Sequence, residues 1–77
     1  MNPSAAFGEV LRHLRKEKRF TQEELALECG LERTFISFLE RGLRQPTLAT
    51  ILKLSKVLGV SASEIVARVE MQLLEQE

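Results

Sequence analysis

Gly30, Gly42 and Gly59, with Pro3 and Pro46, cut this chain into short segments. Inside each segment the apolar residues recur at three- and four-residue spacing rather than at every second position. β-branched runs and hairpin dipeptides such as Asn-Gly are missing, so a sheet-based fold is excluded. The spacing predicts an all-α fold of five short helices in a single compact domain covering 1–77. A chain of 77 residues hides only about 60% of its extended surface on folding, so the core must be thin.

The first helix is expected from about Ser4, as N-cap, to Lys18, with Phe7, Val10, Leu11 and Leu14 on one apolar stripe. Arg15, Lys16, Lys18 and Arg19 crowd its last turn, where positive charge suits the helix dipole. Thr21-Gln22-Glu23-Glu24 fits a capping box and opens a second helix, with Leu25 and Ala26 facing inward. It stops near Cys29 because Gly30 can take the left-handed conformation. A third helix is expected from about Glu32 to Arg41, with Ile36 and Leu39 inward and Gly42 as its stop. Pro46 and Thr47 begin a fourth, with Leu48, Ile51, Leu54 and Leu58 as its apolar face. Ser61-Ala62-Ser63-Glu64 reads as a second capping box and opens a fifth helix, carrying Ile65, Val66, Val69, Leu73 and Leu74.

Composition removes several classes of function. Cys29 is the only cysteine, so no disulfide closes within the chain, and Cys29 with His13 is too little for a zinc site. Cys29 reads as a buried structural thiol and His13 as a solvated surface imidazole. No cofactor or metal is expected. No apolar run resembles a signal peptide or a membrane span, which points to a cytoplasmic protein. Nothing combines a nucleophile, a base and an oxyanion site, so an enzyme is not expected. The 11 basic and 11 acidic residues cancel, so any anion-binding face must come from placement rather than bulk charge.

A two-turn helix, a glycine turn and a second short helix make a helix-turn-helix signature. The short turn sets the helices steeply across each other, so the second can enter a major groove while the first crosses the phosphate backbone. Thr21-Gln22-Glu23-Glu24-Leu25-Ala26, Gly30-Leu31, Ile36-Ser37, Leu39-Glu40-Arg41-Gly42, Pro46-Thr47 and Leu58-Gly59-Val60-Ser61 together resemble the XRE family, the lambda-repressor and Cro-like DNA-binding domains. The resemblance runs through about residues 7–66. The Glu32-Arg33-Thr34-Phe35-Ile36-Ser37 segment also looks like the controller proteins of restriction-modification systems.

The resemblance implies a transcriptional regulator that binds double-stranded DNA, and it implies roles residue by residue. Arg33, Thr34, Ser37 and Phe38 would contact bases from helix three. Arg33 leads, because its fork matches the O6/N7 pair of guanine. Thr21, Gln22, Phe35, Arg41 and Arg44 would contact the DNA backbone, Gln22 as an amide donor beside a positive helix end. Arg44 would also reach a base edge at the rim. Glu32 departs from the preferred N-cap types. Arg15 would pair with Glu40 in a partly buried ion pair, with Arg12 as the competing partner.

Helix five, about 61–75, holds more apolar residues than a small core needs. Ile65, Val66, Val69 and Leu73 are therefore expected at the interface of a homodimer, which would bind a palindromic operator. Regulation would proceed by occluding RNA polymerase or touching it, and no small-molecule ligand is expected. The alternative is an antitoxin-type or other protein-interaction module that also binds DNA.

Overall fold

The structure, a computed structural model, describes residues 1–76. Among them five α-helices follow one another: α1 (Pro3–Glu17), α2 (Gln22–Cys29), α3 (Arg33–Glu40), α4 (Leu48–Leu58) and α5 (Ala62–Glu75). α1 is the central support. It packs against α3 on one side and α5 on another, while α2 bridges α3 and α4, and α4 meets α5. Side chains from all five helices meet in one cluster, in which Leu25, Ile36, Leu39, Leu54 and Leu58 have no solvent exposure.

Local chemistry sets most helix ends where the sequence marks them. Thr21 Oγ1 accepts from Glu24 N at 3.0 Å and the Glu24 carboxylate accepts from Thr21 N at 2.8 Å, completing the capping box. Gly30 then ends α2 at a φ of 68°, a conformation that a side chain would strain. Two caps differ from the sequence reading. α1 is capped by Asn2, not Ser4, because Pro3 takes the first helical position and the Asn2 side chain accepts from Ala5 N at 2.8 Å. Ser61 caps α5 by accepting from Glu64 N. The reciprocal half of that box does not form, since Glu64 turns to Arg68 at 3.0 Å.

α4 buries Leu54 and Leu58 as expected, with Ile51 half-buried against the core, but Thr50 and not Leu48 completes the face. Its inward line is Thr50, Leu54 and Leu58, at four-residue spacing. On a helix that line leaves Leu48 on the far side, and Leu48 is 70% exposed. Thr50 tolerates burial because its hydroxyl shares a 3.0 Å hydrogen bond with that of Thr47. Cys29 is buried as a free thiol. Burial pushes its pKa above the ordinary range, with Glu28 adding to the rise and Lys53 opposing it, so it sits in the core as a neutral thiol. His13 is exposed and lies 3.5 Å from Glu17, one turn along α1.

Candidate nucleic-acid interface

α2 and α3 are joined by Gly30, Leu31 and Glu32, and the Leu31 amide bonds back to Ala26 O at 2.8 Å. That short connection forces α3 to turn sharply away from α2. Ile36 and Leu39 anchor α3 with no exposure at all. At about 100° per residue, Arg33, Ser37, Arg41, Thr34 and Phe38 then fall on one outward arc. Arg33, Thr34 and Arg41 on this arc are exposed, and Ser37 and Phe38 are half-exposed. Glu32 precedes it as an N-cap without a side-chain bond, the weak cap expected of a glutamate.

A buried polar knot fixes the tilt of this arc. The Arg15 guanidinium forks onto Glu40, with Nε to Oε2 at 2.6 Å and Nη2 to Oε1 at 3.0 Å, and its Nη1 donates to Phe20 O at 2.8 Å. Gln22 Nε2 donates to the same Glu40 Oε1 at 3.1 Å. One carboxylate thus ties α1, the start of α2 and the end of α3. The Glu40 side chain is only 4% exposed and that of Arg15 10%. The hydrogen bond that Arg15 donates to Glu40 raises its pKa further, desolvation opposes the rise, and Glu40's charge adds to it.

After α3 the chain turns through Gly42 at a φ of 73°. The Leu43 amide donates to Phe38 O at 2.9 Å, which folds the next loop back along the helix. Arg44 in that loop lies over the Phe38 ring, 5.5 Å from its centroid. Arg33, Arg41 and Arg44 therefore gather on one exposed face of a chain whose total charge is zero.

A sequence model of the Helix-turn-helix family matches residues 11–65. The chain belongs to that family. It is similar to control protein C.BamHI of Bacillus amyloliquefaciens, at 47% identity over 60 residues, 77% of this chain and 74% of that one. Among solved structures it resembles the restriction-modification controller protein C.AhdI from Aeromonas hydrophila, with a TM-score of 0.77 and 41% identity over 79% of this chain and 92% of that one. It also resembles the biofilm regulator SinR in complex with DNA, with a TM-score of 0.75 and 33% identity over 78% of this chain and 97% of that one. DNA binding and transcriptional regulation are the activities of this helix-turn-helix group, and its members here are regulators rather than enzymes. No helix among the described residues is long and apolar enough to cross a membrane.

Within the helix-turn-helix domain, most expected site residues come together and a few do not. Arg33, Thr34, Ser37, Phe38, Arg41 and Arg44 share the exposed side of α3 and its following loop. Arg15 and Glu40 pair as expected, and Arg12 stays exposed. Phe35 is half-buried and packs on the core, because its position falls between Leu39 and the outward arc. Ile65 is a correction. It is only 2% exposed, since α5 needs one residue to lock it between α1 and α4. Gln22 has one amide N–H turned inward onto Glu40, and Thr21 spends its oxygen on the cap.

Two features were not anticipated. The Phe38–Arg44 contact has no sequence signal, because it depends on the path of a loop. Gly8 has one: a glycine inside a helical pattern weakens the helix, and a packing reason usually keeps it there. A Cβ built on Gly8 would lie 2.4 Å from Leu39 O and 2.6 Å from Glu40 O. α1 and the end of α3 touch there through backbone alone.

Proposed function

We propose that this helix-turn-helix protein regulates transcription as a homodimer, reading a palindromic or near-palindromic operator with α3 in the major groove. The observation that carries this reading is the outward arc of Arg33, Ser37, Arg41, Thr34 and Phe38, exposed or half-exposed opposite a fully buried Ile36 and Leu39. Arg33 is assigned to a guanine, with Thr34 and Ser37 on neighbouring base edges. Thr21, Gln22, Arg41 and Arg44 are assigned to phosphate, which positions the protein without specifying sequence. The likeness to restriction-modification controller proteins supports a role as a transcriptional controller.

Selection of bound sequences from random DNA tests the reading. The expected result is a two-fold motif whose half-sites are centred about 34 Å, one DNA turn, apart. Arg33→Ala should abolish the preference at one position of each half-site, a loss of about 1–3 kcal/mol of discrimination. Recovery of random sequence by the wild-type protein, or an unchanged motif from Arg33→Ala, would rule the assignment out.

The dimer reading rests on α5 and α4. Val66, Val69 and Leu73 recur on one stripe of α5, beside the core-facing Ile65. Val66 is 43% exposed, and with Val69, Ile51, Pro46 and Phe7 it lines an apolar groove. Leu48 and Leu52 extend apolar surface along α4, at 70% and 52% exposure. Apolar surface this continuous marks a contact site. Val66→Glu should turn the protein monomeric in sedimentation, with its helix content intact. Operator binding should weaken at least tenfold, because two linked modules are replaced by one. A wild-type protein that sediments as a monomer at micromolar concentration would refute the pairing.

A further inference from the structure

We propose that Phe38 acts in DNA recognition through Arg44, as the ring that holds the Arg44 side chain ready for phosphate, and that it is not itself a base contact. The inference deepens the DNA-binding reading above and rests on it. Arg44 lies on a loop, is exposed, and makes no ion pair among the described residues. Its guanidinium is instead placed over the half-exposed Phe38 ring at 5.5 Å, within the range of a cation–π attraction. The same residue also fixes the loop, since Phe38 O accepts from Leu43 N at 2.9 Å. Backbone and side chain of the loop are therefore both referred to one position on α3.

The chemistry of the pair suits a phosphate grip. A ring engages the face of a guanidinium, whereas its five N–H donors point outward in its plane. Arg44 pairs with no carboxylate among the described residues, so in this position its donors are available to oxygen. A free arginine on a loop loses rotamer entropy when it clamps a phosphate, and a side chain already arranged before DNA arrives loses less. Phe38 lies at the edge of the outward arc, beside Thr34 and Arg41 and away from Arg33 and Ser37. From there it reaches the loop more directly than the base edges that Arg33 faces.

A double-mutant cycle on the selected operator tests the coupling. Phe38→Ala and Phe38→Leu should each weaken binding about two- to fivefold, the range expected of one exposed cation–π contact. Arg44→Ala should weaken it about tenfold and lower the slope of log affinity against log salt by about one phosphate. In the Arg44→Ala background, Phe38→Ala should change affinity by less than about 1.5-fold, so the two effects do not multiply. Phe38→Tyr, which keeps the ring, should restore wild-type affinity and slope. None of these variants should alter the selected base motif.

Independent, multiplying effects would overturn the proposal while leaving the DNA reading intact. So would a Phe38→Ala protein that loses preference at a particular base. A wild-type protein that binds no duplex would remove the proposal together with the reading under it. Melting curves for each variant separate the loss of affinity from loss of fold.

Discussion

Glu40→Ala is expected to lower the melting temperature by about 15–30 °C, enough to leave part of the protein unfolded at growth temperature. A chain of this length holds roughly 4–11 kcal/mol of stability. Glu40 is the shared acceptor for Arg15 Nε, Arg15 Nη2 and Gln22 Nε2. Truncation strands an arginine whose side chain is only 10% exposed. Only Phe20 O remains to accept from it. An orphaned buried charge costs about 3–5 kcal/mol. The penalty comes from desolvation, so added salt should not relieve it, as it would for a surface pair. Glu40→Gln keeps the shape and one acceptor oxygen, and its loss should be smaller. The discriminating variant removes both partners. Arg15→Met with Glu40→Leu should recover most of the lost stability, because no buried charge remains. Thermal melts of the four proteins check this. If the double variant is as unstable as Glu40→Ala, stranded charge is not the cause.

This knot shows how far the residues alone could be read. Thr21 with Glu24, Gly30, Gly42 and the stripe of Phe7, Val10, Leu11 and Leu14 are local signals, and each acts within a turn or two of its own position. They were legible because capping and helical periodicity need no knowledge of tertiary structure. The outward side of α3 followed from the same periodicity. Ile65 was misplaced for a different reason. It lies near the border between a buried and an exposed face, where a small rotation of the helix decides the outcome. Leu48 failed because the fourth helix buries Thr50 instead, and a threonine gives no apolar signal. The turn after α1 was also silent: Arg19 takes a φ of 60° there, a position usually filled by glycine. The Phe38–Arg44 pairing belongs to the class of contacts that exist only once a loop has a path.

Gly8→Ala is expected to destabilise the protein by about 3 kcal/mol, lowering its melting temperature by about 12–24 °C. Two effects of opposite sign compete at this position. Glycine inside a helix is a poor helix former, and alanine there would add about 1 kcal/mol if space allowed. Space does not allow it. A Cβ would meet Leu39 O at 2.4 Å, Glu40 O at 2.6 Å and Glu40 C at 2.9 Å. All three are backbone atoms of α3, so no rotamer change can relieve the clash. α1 or α3 must move as a whole. Overpacking of a well-filled site costs about 1–3 kcal/mol when side chains can adjust, and more when they cannot. The clash therefore wins over helix propensity. The displaced carbonyls also belong to the end of α3 that carries Glu40, so the same shift should loosen the Arg15 fork. Variants that remain folded in the cold should consequently bind operator more weakly, although Gly8 itself faces α3 and no DNA. An unchanged or raised melting temperature for Gly8→Ala would mean that the two helices can separate without penalty. The tilt of α3 would then have to be set by the Glu40 knot alone.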